Sequence, residues 1–303
     1  MSELIRDKTT LRHLESLAAK LRRRSAGTRL IAAQPKEIAV ANMVRRVIHQ
    51  VREEYHRATV RQEKSTAEGG LEDINRRSMS IKPALIDAIK EIVDQLETVF
   101  EGVAKNAKNH IHADEIVLTI GYSRTVESFL KAAAHEKKFT VIVAETAPSY
   151  TGHQMATALS EHNISTFLVP DSAIFALMSR VTKLILGAHV VLADGGIVAQ
   201  AGAAAASAAA RAHATSVVVC AGQFKFAPVW SWTVEGAAAA DYGDPGLVLS
   251  YEEGELVDGV EVVNPKYDYV KPEFLDVIVT NYGDHPPSYV YKLVKEMYED
   301  EDI

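Results

Sequence analysis

Residues Glu115–Glu136 (EIVLTIGYSRTVESFLKAAAHE) place a short β-branched run directly before a segment with helical spacing. The same alternation recurs as far as residue 280. The further strand-like runs are Phe139–Ala144, Thr166–Val169, Leu184–Leu186, Ser216–Cys220 and Val277–Thr280, and the further helical stretches are His153–His162, Ala173–Arg180 and Ala203–His213. Nearly continuous apolar strands that alternate with helices are typical of a parallel sheet with both faces covered. The sequence therefore predicts an α/β domain over residues 113–303, built on a doubly wound, mostly parallel sheet.

Residues 1–112 have a different pattern, which predicts an N-terminal helical domain. Apolar residues recur at helical spacing over Ile38–Val51 and again over Leu85–Phe100. Pro83 comes just before the second run, in a position that suits the first turn of a helix. The polar segment Lys64–Gly70 (KSTAEGG) predicts a loop between the two helices.

Composition and charge exclude several classes of protein. The chain has 303 residues, of which 47% are apolar and 24% charged, as in an ordinary folded protein. Residues 1–112 carry 21 Lys and Arg against 15 Asp and Glu, and the remainder carries 12 against 25, for a net charge of −7. An acidic body argues against general nucleic-acid binding.

No apolar run approaches the ~18 residues of a membrane-spanning helix, and the first residues lack a secretory leader. The single cysteine fits a reducing compartment. We expect a cytosolic (cytoplasmic) protein that acts without a membrane, nucleic acid, metal or cofactor.

The loop after the first predicted strand is the first candidate for a binding site, because ligands bind at the carboxyl ends of the strands in such sheets. Gly121, Ser123 and Arg124 follow that strand and open a helix. The N–H groups of the helix start can hold an anion together with Ser123 and Arg124. The alternative is structural: Ser123 caps the helix and Arg124 pairs with a surface acid.

A second loop contains His189, Gly195 and Gly196. His189 can act as a general acid or base, or it can be a packed residue. The glycines allow either the close approach of a ligand or tight turns. The chain has no GxGxxG sequence here, so this loop does not predict dinucleotide binding. Cys220 closes an apolar run, which favours a packed cysteine over a nucleophile.

The helix predicted after Pro83 carries three acids on one face. Asp87, Glu91 and Asp94 stand at positions i, i+4 and i+7. Such a stripe is usually a solvated face. Because it lies in the otherwise basic part of the chain, it is also a candidate contact for a partner.

Four segments carry a resemblance to a known family: Ile116–Lys131 (IVLTIGYSRTVESFLK), Val141–Ala156 (VIVAETAPSYTGHQMA), Ala173–Ala188 (AIFALMSRVTKLILGA) and Asn281–Tyr298 (NYGDHPPSYVYKLVKEMY). They resemble the alpha, beta and delta subunits of eukaryotic translation initiation factor 2B, and the beta branch in particular. The resemblance covers almost the whole chain and is weak over residues 60–80 and 228–262. It implies a Rossmann-like sheet domain after the helical domain.

This family is related to isomerases of sugar phosphates, and the resemblance indicates what stands at their catalytic positions. It implies that the catalytic cysteine of those enzymes falls at Gly121 and their catalytic aspartate at His189. It places their phosphate-binding arginines near Ala147 and Gln154. Neither glycine nor alanine can transfer a proton or grip a phosphate. The resemblance therefore implies a protein that is not an enzyme. The alternative is an active aldose–ketose isomerase, or a sensor of a phosphorylated metabolite, with the same fold.

The resemblance also implies a set of partners. A beta-type subunit would pair with the delta subunit, and with the alpha, gamma and epsilon subunits it would form a guanine-nucleotide exchange complex. That complex acts on initiation factor 2 and senses the phosphorylation of its alpha subunit. Asp87, Glu91 and Asp94 are then candidates to contact that alpha subunit. Candidates for contacts between subunits are Asp114, His153, Tyr289 and Tyr291, with Leu293 and Tyr298 on the same C-terminal segment.

Overall fold

The structure is a computed structural model, and it describes residues 27–63, 71–233 and 241–298. Residues 27–33 are helical. The helices that follow are α1 (Ile38–Glu63), α2 (Leu71–Ala104), α3 (Ala107–His110), α4 (Arg124–Ala134), α5 (Thr151–Ser160), α6 (Ile174–Met178), α7 (Ala203–Ala212), α8 (Glu255–Gly259) and α9 (Val290–Met297). The strands are β1 (Ile116–Ile120), β2 (Thr140–Ala144), β3 (Ser165–Val169), β4 (Lys183–Gly187), β5 (Val190–Val191), β6 (Ile197–Gln200), β7 (Ser216–Cys220), β8 (Tyr267–Val270), β9 (Val277–Thr280) and β10 (Gly283–His285).

The main sheet has seven strands in the order β10-β9-β7-β4-β1-β2-β3. Neighbouring strands from β9 to β3 are parallel, and β10 joins the edge antiparallel to β9. All six strands predicted from the sequence lie in this sheet, which confirms the Rossmann-like, mostly parallel α/β fold. A second, antiparallel sheet of β5, β6 and β8 was not predicted.

Each face of the main sheet is covered by a hydrophobic core. Leu118 and Leu184 belong to the core that includes side chains of α6, α7 and α9. Val117 and Ile185 point to the opposite face, into the core that includes α4 and α5. Neighbouring residues of one strand therefore enter different cores, as the pleat of a strand requires. Cys220 is fully buried in the second core, which confirms it as a packed cysteine.

Helix α2 is longer than the sequence predicted. It begins at Leu71 and contains Pro83 in its interior, so the expectation that the helix begins beside Pro83 is wrong. Proline removes one backbone hydrogen bond from a helix, and a helix of 34 residues retains the others. The predicted loop at Lys64–Gly70 lies outside the described residues. Among the described residues, no helix is long and apolar enough to cross a membrane.

The chain divides into two compact units, one up to Glu91 and the other from Ile92 to Glu301. This division comes earlier than residue 112, where the sequence places the change from helical to α/β domain. The physical reason is burial. Val103, Ala107 and Ile111 are almost completely buried, and they belong to the same core as α4 and α5. The end of α2 and all of α3 therefore pack as part of the sheet unit.

We predict that replacing Leu184 by alanine destabilises the fold far more than replacing Leu168. Leu184 is completely buried in the central strand β4, whereas Leu168 is 45% exposed on the edge strand β3. Leu184→Ala should lower the free energy of unfolding by about 2–5 kcal/mol, and Leu168→Ala by less than about 1 kcal/mol. Urea unfolding of the two variants measures both losses. Equal losses would contradict the sheet order.

Candidate functional site: the crevice at the switch point of the sheet

The strand order creates a crevice at the carboxyl ends of β1 and β4. From β1 the chain proceeds to β2 and β3 on one side, and it then returns to β4 on the other side of β1. In doubly wound sheets ligands bind at this reversal. Gly121, Ser123 and Arg124 directly follow β1, and His189 follows β4 after one residue. The structure thus brings the two predicted loops to neighbouring strands of the sheet.

Gly121 is buried and has a positive φ of 60°, a conformation that favours glycine. A side chain here would overlap the Oε1 and Cδ atoms of Gln200. Gln200 closes strand β6, and its Nε2 donates to Thr151 Oγ1 at 2.7 Å and to Ser149 Oγ at 3.3 Å. The carboxamide of Gln200 therefore occupies the place that a side chain at position 121 would need. The sequence contained no signal for this residue.

Ser123 takes the N-cap position of α4, but its side chain makes no capping hydrogen bond. Its hydroxyl lies over β4, where a Cβ atom on Gly187 would be only 2.5 Å from Ser123 Oγ. Arg124 is exposed, and its guanidinium carbon lies 4.1 Å from the centroid of the Phe100 ring. The expected pairing of Arg124 with a surface acid is replaced by this cation–π contact.

Beside Arg124, the side chains of Tyr122 and Glu127 are held by hydrogen bonds. Tyr122 Oη donates to Glu127 Oε2 at 2.8 Å, and Lys131 Nζ donates to Glu127 Oε1 at 2.5 Å. Burial raises the pKa of Glu127, but the hydrogen bonds from Lys131 and Tyr122 outweigh it and lower the pKa below its ordinary value. The hydrogen bond to Glu127, followed by burial, raises the pKa of Tyr122. This carboxylate and this phenol are therefore a structural pair.

His189 is a partly buried residue between β4 and β5. Its backbone N–H donates to the carbonyl of Val198 at 2.7 Å. Its ring stacks on Tyr267, with the centroids 4.3 Å apart and the planes 19° apart. The carbonyl of the preceding residue, Ala188, accepts a hydrogen bond from Lys225 Nζ at 2.6 Å. These contacts join the small sheet to the end of β4.

The glycines of the second loop form the turn between β5 and β6. Asp194 accepts hydrogen bonds from the Gly196 N–H and from Tyr269 Oη, both at 2.9 Å. Gly195 has a φ of 86°, and a side chain on it would overlap the carbonyl of Pro287. These are the contacts of a tight, packed turn, which was one of the two interpretations of the sequence. A role of Gly195 and Gly196 in a ligand cleft stays a prediction.

The loop after β2 is held by a carboxylate at the end of β3. Asp171 accepts hydrogen bonds from the N–H groups of Thr146 at 2.9 Å and Ala147 at 2.7 Å. Thr146 has a positive φ of 61°, so these bonds hold a strained backbone. Gly152 lets the start of α5 approach β2, because a Cβ atom there would overlap the carbonyl of Ala144. The loop is thus fixed by contacts within the protein.

Burial separates the predicted surface residues into two groups. Those with exposed side chains are Asp87, Glu91, Asp94, Asp114, His153 and Tyr291. Tyr289 is half-buried and stacks on His285, with the ring centroids 5.7 Å apart. Tyr291 is 48% exposed and lies 5.9 Å from the ring of Trp230. In contrast, Tyr298 is 4% exposed and donates to the carbonyl of Phe226 at 2.8 Å, so it packs inside the fold.

Within residues 27–63, 71–233 and 241–298, no group of three His, Cys, Asp or Glu side chains is arranged to hold a metal ion. Burial raises the pKa of the Cys220 thiol far above its ordinary value, since this effect outweighs the nearby Lys225. The thiol therefore stays protonated, and it is not a candidate nucleophile.

A doubly wound sheet with this switch-point crevice defines a Rossmann-like α/β protein. Within that class, the chain belongs to the Initiation factor 2 subunit family, whose model matches residues 1–287. It is 43% identical over 223 residues to the translation initiation factor eIF2B subunit beta of Dictyostelium discoideum. It is 33% identical, over an alignment 334 positions long, to the subunit of the same name from Schizosaccharomyces pombe. These alignments cover 74% and 92% of this chain, and 57% and 84% of the respective relatives.

Solved structures agree with this placement. The crystal structure of eIF2B beta from Chaetomium thermophilum matches with a TM-score of 0.74 at 28% identity, over 93% of this chain and 80% of that one. The tetrameric eIF2B-beta2-delta2 complex from C. thermophilum contains a chain that matches with a TM-score of 0.68 at 27% identity, over 92% and 80%. A more distant relative is the ribose 1,5-bisphosphate isomerase of Pyrococcus furiosus, 29% identical over 222 residues, which cover 72% of this chain and 68% of the enzyme.

We predict that a side chain at position 121 and the carboxamide of Gln200 exclude each other. Gly121→Ala should lower the free energy of unfolding by more than the ~1–2 kcal/mol expected for a positive φ alone. The additional loss arises because Gln200 must move away and break its hydrogen bond to Thr151. Gln200→Ala in the same chain should recover part of this loss. The measurement is the free energy of unfolding in urea for the two single variants and the double variant.

Gly202→Ala is the matched control for this double-mutant cycle. Gly202 has a positive φ of 97°, and a Cβ atom there would meet nothing within 4 Å. Its substitution should cost the backbone strain alone, whether or not Gln200 is present. If Gln200→Ala leaves the cost of Gly121→Ala unchanged, the exclusion is wrong.

Proposed function

We propose that this protein is a non-catalytic regulatory subunit of the initiation factor 2B guanine-nucleotide exchange complex. The observation that carries the proposal is its likeness to an eIF2B subunit beta over 92% of the chain. In this role it pairs with a delta subunit and joins alpha, gamma and epsilon subunits. Through the assembled complex it contacts initiation factor 2, chiefly the alpha subunit of that factor, and takes part in sensing its phosphorylation.

The crevice supports a role without catalysis. Aldose–ketose isomerisation moves a proton between adjacent carbons, which requires a positioned acid or base. At position 121 there is no side chain, and the nearby carboxamide of Gln200 does not titrate near neutral pH. The imidazole of His189 is stacked on Tyr267. Ala147 and Gln154 cannot supply the bidentate cationic grip that phosphate recognition favours. These features favour a scaffold over the related isomerase activity.

Pairing with a delta subunit is supported by an aromatic surface beside α9. Trp230 is 41% exposed and lies next to the exposed ring of Tyr291. Exposed Trp and Tyr side chains are the residues enriched at the centres of protein interfaces. We assign this pair to the contact with the delta subunit. Tyr289 borders it, and Asp114 and His153 are assigned to further contacts between subunits.

The acidic stripe of α2 is assigned to the contact with the alpha subunit of initiation factor 2. The side chains of Asp87, Glu91 and Asp94 are exposed. The Asp87 carboxylate lies 3.8 Å from Lys90 Nζ, and both groups are more than 70% exposed, so this pair holds the carboxylate only weakly. An exposed acidic stripe fits a basic patch on the partner, where it increases the association rate and selects the partner.

Reversing two of these charges should weaken the complex with the alpha subunit of initiation factor 2. Asp87→Lys with Glu91→Lys should reduce the affinity about 2- to 30-fold at low salt, since each of the two exposed pairs contributes about 0.2–1 kcal/mol. The exchange rate of the assembled complex should fall with it. Titration of the purified complex with the alpha subunit measures the affinity, and circular dichroism checks the fold.

Glu136→Lys with Glu161→Lys is the matched control, since both residues are exposed and the change in net charge is the same. The control should retain the wild-type affinity. Unchanged affinity of the stripe variant at low salt would refute this assignment, and an equal loss in the control would attribute the effect to net charge alone.

A further inference from the structure

Residues 241–263 form a loop whose two ends are held together. The Gly243 N–H donates to the carbonyl of Asn264 at 2.6 Å, and the Lys266 N–H donates to the carbonyl of Asp241 at 3.0 Å. The Asn264 side chain is nearly buried and donates to the carbonyl of Asp244 at 2.9 Å. Between these ends the backbone forms two single turns and the short helix α8. The loop is therefore folded on a fixed base, as loops that carry function often are.

Six large apolar side chains of this loop are exposed. Tyr251 is 73% exposed, Leu247 55% and Val248 53%, although all three lie in or beside ordered turns. Three more large side chains of the same segment are exposed by about half: Tyr242, Val260 and Val263. Concentrations of exposed apolar surface on a folded protein mark places where another molecule binds.

The negative charge of the loop indicates which kind of molecule can bind it. Residues 241–263 contain seven Asp and Glu and no Lys or Arg. The base of the loop has one cation, Lys266, whose Nζ lies 3.7 Å from Asp241. Nucleic acid and anionic lipid are repelled by such a surface. A second copy of the same loop would also be repelled, because it would place seven acidic residues opposite seven others. A protein surface with Lys and Arg around an apolar centre complements both properties.

We propose that residues 241–263 are a docking surface for a basic protein surface with apolar anchors. Leu247, Val248 and Tyr251 provide the apolar contact, and Glu252 and Glu253 provide charge beside it. The proposal rests on the proposed function only for the choice of candidate partners. These are the delta subunit, the gamma–epsilon pair and initiation factor 2.

Hydrogen exchange of the 303-residue protein tests this surface. The protein is measured alone and after separate addition of each of the three purified candidates. In one of these mixtures the backbone amides of residues 241–263 should exchange at least fivefold more slowly than in the protein alone. If the exchange of this segment is the same in all three mixtures, the proposal is wrong.

Substitutions then separate apolar contact from charge. Leu247→Ala with Tyr251→Ala, and separately Glu252→Lys with Glu253→Lys, should each reduce the affinity for the protecting partner at least tenfold. The loss in the charge-reversal variant should become smaller as salt is raised. Glu136→Lys with Glu161→Lys, outside the loop, should keep the wild-type affinity. Wild-type affinity in both loop variants would overturn the proposal.

Pairing with the delta subunit is measured separately by the mass of the complex, so the proposed function can fail or hold independently.

Discussion

The hydrogen-bonded ladder of β1 with its two neighbours is the constraint on which the rest of the sheet unit depends. Val117 is level with Val141 of β2 and with Lys183 of β4, so all three strands end at the same edge of the sheet. This register sends alternate side chains into the two cores, and a slip of one residue would exchange their faces. It also places the loops after β1, β2 and β4 side by side.

At that edge, contacts within the protein fix the loops after β1 and β2. Gln200 fills the space above Gly121, the hydroxyl of Ser123 lies over Gly187, and Asp171 holds the loop after β2. Loops that are fixed from within stabilise the scaffold, and the proposed role as a subunit then depends on the surface. The exposed aromatic pair, the acids of α2 and the acidic loop 241–263 are all surface features, which suits a protein that acts through partners.

The six parallel strands of the main sheet were predictable from sequence because they are short apolar runs, rich in β-branched residues and mostly separated by helical stretches, whereas the edge strand β10 (GDH) has no such pattern. The small sheet was not, because β5 has only two residues and β8 (YDYV) has no apolar face that a pattern can detect. The glycines at 121 and 195–196 were visible as candidates, but their roles depend on Gln200 and Pro287, which are distant in sequence. Likewise, the helical periodicity of α2 gave no indication that Ile86, Ile89 and Val93 are exposed while Ile92 and Val99 are buried.

A protein that functions as a subunit, as we propose, must form a stable complex with its partner chain. The most direct measurement is the native mass of the purified protein, alone and mixed with a delta subunit at micromolar concentration. The mixture should contain a stable complex of both chains, since the exposed Trp230–Tyr291 surface is then covered. A protein that stays a monomer, with no complex formed in the mixture, would contradict it.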